Sequence, residues 1–209
     1  MFPSFIESLI MKKQIIAAAA LCTLMSGAAF AQQAKEGPWM VRVRAVHLDS
    51  ANDGSTTPNL NLSINNKTIP EVDVSYFFSK NLALELVLTV PQKHRLSSFG
   101  NQIGTLKHLP PTLLAQYHFD ANGFKPYVGA GINYTHFSGV NIPGADIDRN
   151  SWGAALQAGV DIPISGNMYL NLDLKKVYIQ TDVSTATGTK LGTFKVDPLL
   201  VGVGLGWRF

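Results

Sequence analysis

From Leu199 to its last residue the chain alternates strictly. Leu199, Val201, Val203, Leu205, Trp207 and Phe209 are large and apolar, and from Gly202 the positions between them, Gly202, Gly204, Gly206 and Arg208, are small or polar. A period of two marks a strand with two unlike faces. A soluble sheet does not ordinarily leave such a fatty face on a terminal strand. A strand of a transmembrane barrel sets that face in lipid and its aromatic residues at the interface. Trp207 and Phe209 then close the barrel and read as its assembly signal.

The amino terminus fits an exported chain. Lys12 and Lys13 precede the apolar run Ile15 to Met25, and Ala29-Phe30-Ala31 offers a small-x-small cleavage site, the pattern of a secretory signal peptide. That run is too short to cross a bilayer as a helix. Met11 reads as the natural start, because residues 1–10 add nothing export needs and put Glu7 ahead of the basic pair. Residues 1–31 are thus expected to be a leader, with a non-native start extension at 1–10, and residues 32–209 one barrel domain. The single cysteine, Cys22, leaves with the leader, so no disulfide framework and no thiol metal site is expected.

Of 17 basic residues Lys12 and Lys13 lie in the leader, and of 14 acidic ones Glu7 does, so the remainder is nearly balanced. No basic run or aromatic-basic interleaving points to nucleic acid. No later stretch approaches eighteen consecutive apolar residues, the length of a helical span.

Eight strands can be placed, at about 39–48, 67–78, 82–89, 111–119, 124–137, 151–162, 168–175 and from 199 to the end. In the seventh the alternation slips at Lys175-Lys176, as at a bulge or a rim position. Polar stretches at Asp49–Asn66, Pro91–Lys107, Ser138–Asn150 and Thr181–Thr193 read as long loops, and the connections between them are short. Long and short connections in alternation are the mark of an outer-membrane barrel, with long loops outside the cell and short periplasmic turns. The expected fold is all-β: an eight-stranded antiparallel transmembrane barrel in the outer membrane of a Gram-negative cell.

Several segments together resemble the OmpW family of small outer-membrane proteins, which includes the alkane-uptake protein AlkL. They are Trp39-Met-Val-Arg-Val-Arg-Ala45, Asn81-Leu-Ala-Leu-Glu-Leu86, Leu109-Pro-Pro-Thr-Leu-Leu-Ala-Gln-Tyr-His-Phe119, Lys125 to Tyr134, Ser151-Trp-Gly153 and the terminal strand with Asp197-Pro198. The resemblance implies passive uptake of small hydrophobic molecules through an apolar cavity in the outer half, opening sideways between strands. Pro70 falls where a strand is expected.

The inward faces sort by height. Arg42, Arg44, Asp73, Glu85, Asp161, Asp173 and Arg208 lie toward the periplasmic end, with Gln116, His118 and Asn171 at that level. A lumen of eight strands is only wide enough for side chains, and unpaired charges there are costly. These residues are expected to form a hydrogen-bonded ionic plug that blocks axial passage. Higher up, Val46, Val87, Gly131, Gly153, Leu200 and Gly202 are small or apolar and leave room for a hydrocarbon that exits sideways into the bilayer.

Catalysis is not expected. Of His47, His94, His108, His118 and His136 only His118 falls in the charged layer, near Asp161, with Ser75 the one serine at its height; the others fall in or near loops as solvated residues. No His-x-x-x-His spacing or phosphate loop suggests a metal or cofactor. The expected partners are outer-membrane lipids, the barrel-assembly machinery and small hydrophobic solutes, with the protein a monomer. The alternative is a structural or surface-interaction barrel whose loops bind receptors. A continuous apolar tunnel in the outer lumen would favour uptake, and interdigitated polar chains the alternative.

Overall fold

The computed structural model describes residues 37–209, so the leader reading at 1–31 lies outside the described residues. Eight long strands form the wall: β1 (Trp39–Asp49), β4 (Lys67–Phe77), β5 (Leu82–Thr89), β8 (Thr112–His118), β9 (Lys125–Asn141), β11 (Asn150–Ser165), β12 (Met168–Val177) and β15 (Leu199–Arg208). Each pairs antiparallel with its neighbour, β1 meets β15, and the pairing of β11 with β9 closes the ring. Closure of the ring leaves no free edge strand in lipid, where water cannot satisfy one.

The two faces of each strand separate as the alternation requires. Leu84, Leu86, Leu88, Ile132, Leu156, Leu172, Val201 and Val203 are exposed on the outer wall. Aromatic girdles bracket them. Trp39, Tyr76 and Phe78 stack edge to face in one run with centroids 4.8 and 5.1 Å apart at the turn end, and Tyr134 lies 4.8 Å from Trp152 at the other. Amphipathic rings favour both interfaces of a bilayer.

The long connections are not irregular loops. They fold into further strands that continue the wall as a crown. β6 (Gln92–Ser98) and β7 (Asn101–Leu109) form a hairpin carried on β9, and β3 (Leu62–Ile64) joins β6. A second sheet joins β10 (Ala145–Ile147), β13 (Gln180–Thr185), β14 (Lys190–Lys195) and β2 (Asp53–Thr56). Their composition is polar, yet their inward positions bury Leu96, Leu106, Ile147, Val183 and Phe194.

The seventh strand corrects another expectation. No bulge interrupts β12 at Lys175-Lys176: Lys175 faces Gln157 and Lys176 faces Leu156 in unbroken register. Lys175 points into the lumen and is 1% exposed, whereas Lys176 donates to the Asp197 carbonyl near the rim.

Inside the barrel three layers stack. Met40, Phe77, Ala83 and Tyr169 form an apolar floor at the turn end. A layer of buried charge lies above it. Beyond that, Val46, Leu48, Ile69, Val87, Leu114 and Leu200 share one apolar core with the crown's Leu96, Ile147 and Phe194. The apolar interior thus runs on past the membrane wall.

Candidate functional site

The charged layer is built on β1. Its alternation turns Arg42 and Arg44 inward on successive rungs, opposite Asp73 and Glu71 of β4. Arg42 grips Asp161 through two bonds, Nε to Oδ1 at 3.1 Å and Nη2 to Oδ2 at 2.7 Å. Its Nη1 donates to Asp73 at 3.0 Å and to Ser75 at 2.9 Å. Arg44 donates to Glu71 at 3.1 Å, Glu85 at 2.7 Å and Asp73, and lies 3.1 Å from Asp173. Paired forks of this kind are the strong form of a charged hydrogen bond.

Glu71 and Lys175 complete the layer, with Lys175 Nζ 3.1 and 3.3 Å from the two Glu71 oxygens. Both face inward by the alternation, but nothing in their local sequence tells that they meet. Neutral groups bond several of these acids and one another. Tyr127 and Gln157 donate to Asp173 at 2.8 and 2.7 Å, Asn171 donates to Asp161 at 2.8 Å, and Gln116 donates to Gln157 at 2.8 Å. His118 bonds Gln116 at 3.1 Å and stands 4.0 Å from Asp161. Ser75 is engaged by Arg42, so His118 and Ser75 each have other partners.

Arg42, Arg44, Asp73, Glu85, Asp161 and Asp173 therefore meet in one network. Arg208 sits in the floor instead. Its Nε donates to the Gly37 carbonyl at 2.9 Å, and its guanidinium covers the Phe77 ring at 3.8 Å. The cation–π contact replaces hydration in this position.

The upper lumen departs further from expectation. Val46, Val87 and Leu200 belong to the apolar core, and Gly202 packs beside Val46. Gly131 and Gly153, however, leave no room for a solute. A Cβ on Gly131 would lie 1.9 Å from the Leu113 carbonyl oxygen, and one on Gly153 1.8 Å from that of Tyr178. Neighbouring backbone fills the space a side chain would take. Gly153→Ala should therefore lower the urea midpoint of the folded barrel, by about 1–3 kcal/mol in stability. An unchanged midpoint would show that the strands shift freely there.

The column above the charges is neither an open tunnel nor polar. Apolar side chains interdigitate and leave only small cavities among the described residues. One of about 20 Å³ lies directly over the Glu71–Lys175 pair. Another, about 30 Å³, lies in the crown among Leu60, Leu96, Leu106, Ile142 and Phe194.

The wall beside the lower cavity is broken. The β4–β5 ladder ends at Glu71 and Thr89, and the β5–β8 ladder ends at Val87 and Thr112. Pro70, Pro91, Pro110 and Pro111 flank these ends. Proline has no N–H to give a ladder and collects where pairing stops. Ile69, Thr89, Pro110 and Thr112 line the cavity from this side.

His94 and His108, read from sequence as solvated, are 0% and 1% exposed. They stack with centroids 4.6 Å apart and planes 12° from parallel, on the β6–β7 hairpin above the spanning strands. Burial pushes His108 from 6.5 down to about 3, with the His94 ring and Lys67 acting the same way. Burial also lowers His94, with Lys67 adding and the Asn65 carbonyl opposing. The unfolded chain takes up these protons as pH falls through about 6.5 while the folded state refuses them, so stability drops on acidification. The slope is at most about 1.4 kcal/mol per pH unit for each ring. Urea midpoints followed downward from neutral pH should show this loss, and His108→Phe should flatten it.

The OmpW family model matches residues 35–209. The chain belongs to the OmpW family. It is 35% identical to outer membrane protein W of Escherichia coli K12, over 95% of this chain and 100% of that one. It is 26% identical to the dibenzothiophene metabolism operon protein PahQ of Pseudomonas aeruginosa, over 84% of this chain and 90% of that one. Among solved structures, the outer membrane protein OprG of Pseudomonas aeruginosa aligns with a TM-score of 0.74 at 23% identity, covering 86% of this chain and 99% of that one. That likeness is one of fold. This OmpW-family barrel is an outer-membrane protein, and its lipid-facing wall is the physical counterpart of that location.

Proposed function

We propose that this OmpW-family barrel is a monomeric, passive uptake route for small hydrophobic molecules. A solute enters through the crown, moves down the apolar column and leaves sideways into the bilayer where β4 and β5 part. The observation that carries this reading is the placement of the broken ladder beside an apolar cavity, directly above a sealed ionic layer.

The ionic layer argues against an axial path. Its arginines are fully buried, and separating one such pair in an apolar surrounding costs several kcal/mol. An alkane offers no hydrogen bond in return. Displacing apolar side chains costs less, since the solute restores the contacts it breaks. A sideways exit into lipid also spares the solute the polar layer outside the membrane. The relative PahQ, named for an operon of dibenzothiophene metabolism, belongs to a setting of apolar aromatic compounds. The protein's role is passage rather than catalysis on this reading, with the lumen charges serving as the seal.

A second reading rests on the crown. A polar cleft of about 220 Å³ among Asn52, Asp53, Thr56, Asn59 and Asn61 suits a surface partner, which would make the barrel an interaction platform. The two readings separate in one assay. Cells lacking the protein should take up n-octane more slowly than cells complemented with the wild type. Equal rates would overturn the uptake reading and move the weight to the crown.

A further inference from the structure

The cavity above the ionic layer is lined mainly by apolar side chains, with the Glu71–Lys175 pair beneath it and hydrogen-bonding groups at one side. There Thr89, the last ladder residue of β5, and His108, near the end of β7, both line it. Thr89 Oγ1, His108 Nδ1 and His108 Nε2 are buried without a hydrogen-bond partner among the described residues. A neutral imidazole carries one N–H and one lone pair, and a hydroxyl can both give and accept. Each buried group left unsatisfied costs about 1–3 kcal/mol. His94 covers one face of the His108 ring, and Phe137 stands at 6.4 Å in an edge contact. The ring is held in place with its nitrogens unused.

Charge and geometry restrict what these atoms can take. The two charged side chains that line the cavity, Glu71 and Lys175, are paired with each other, so neither is left to hold a charged ligand. Stacked rings lying nearly parallel cannot both aim an in-plane lone pair at one ion, which argues against a shared metal. A neutral oxygen on an apolar body meets both conditions.

We propose that this cavity docks a neutral hydrophobic molecule bearing a single hydrogen-bonding oxygen, such as an alcohol, phenol or ketone. Thr89 Oγ1 and His108 hold the oxygen, and Leu48, Ile69, Val87 and Leu200 hold the body. The site rests on the uptake reading and narrows its substrate class: oxygenated solutes are retained beside the exit, and bare hydrocarbons are not. At about 20 Å³ the closed cavity has room for one water molecule, the competing occupant. A larger guest parts the same side chains that any solute must part.

The test uses the purified full-length barrel in dimyristoyl-phosphatidylcholine nanodiscs, with 1-octanol and n-octane as probes. Binding is measured per protein after subtracting partition into protein-free lipid. Imidazole nitrogens are followed by ¹⁵N NMR. Wild type should favour 1-octanol over n-octane by about tenfold beyond the lipid reference, the worth of one good hydrogen bond, and only 1-octanol should shift the His108 nitrogens. Both Thr89→Val, which keeps the side-chain shape, and His108→Phe, which keeps the stack, should bring the preference close to one.

Equal binding of the two probes overturns the site. So does a preference that survives in Thr89→Val, a variant that should fold even where His108→Phe does not. A His108 nitrogen signature of bound water that saturating 1-octanol leaves unmoved also overturns it, as a structural water only. Failure of n-octane uptake in cells would strike the transport reading, while this binding measurement stays readable by itself.

Discussion

Oxidation of a cysteine pair placed at Pro70 and Val90 should slow n-octane uptake by about tenfold or more, equivalent to raising the barrier by about 1.4 kcal/mol. Reduction should restore the rate. Glu71 and Thr89 are the last partners of β4 and β5, so Pro70 and Val90 are the next rung, on the lipid-facing side, where Val90 is 56% exposed. Paired residues of an antiparallel ladder lie about 4.5–5.5 Å apart at Cα, and this position stands one step beyond the last pair, so a disulfide there has to draw the two strand ends together. No cysteine occurs among the described residues to compete for the new thiols. A bond there ties the wall at the place where the ladder stops and where proline denies it backbone bonds. Uptake that is indifferent to oxidation, in protein shown to be crosslinked, would place the exit elsewhere on the wall.

Arg42→Met should destabilise the folded barrel by about 3–5 kcal/mol, the cost of leaving a buried counter-charge without its partner. Arg42 is 0% exposed, and its loss strips Asp161 of both guanidinium bonds while Asp73 keeps Arg44. The measurement is the urea midpoint of unfolding from lipid vesicles. Adding Asp161→Asn should recover part of the loss, because an amide needs no counter-charge and can still bond Asn171. A single variant as stable as the wild type would mean that water reaches this layer. It would also remove the energetic case against axial passage, since that case assumes a dry seal.

The wall was legible in the sequence because its determinant is local. Alternation such as Leu199 to Phe209, or Leu82 to Thr89, assigns every residue to one face without reference to any other strand. The direction of each strand then orders the inward charges by height, which is why Arg42, Arg44, Asp73, Glu85, Asp161 and Asp173 could be grouped before any contact was known. The crown was not legible. Its strands are short, rich in Ser, Thr, Asn and Gly, and carry few apolar residues, so composition resembles that of a loop. Only the pairing of β7 on β9 and of β14 on β2 gives those residues a sheet to join. The role of Lys175 is hidden for a related reason. Two adjacent lysines look like a rim, and only the position of Glu71 on a distant strand makes one of them a buried ion.

By itself, then, the sequence determined which side of the wall each residue serves, because a strand's period of two is a property of its own backbone. The tertiary structure decided which residues meet. Arg42 and Asp161 lie 119 positions apart and touch only because the ring closes. Closure likewise presses neighbouring backbone against Gly131 and Gly153, fills the outer lumen and stacks two histidines that local composition would leave in water. The break beside Pro70 belongs to both. Proline marks where a ladder cannot continue, and closure of the barrel sets the two ladder ends that Pro70, Pro91, Pro110 and Pro111 flank beside one cavity.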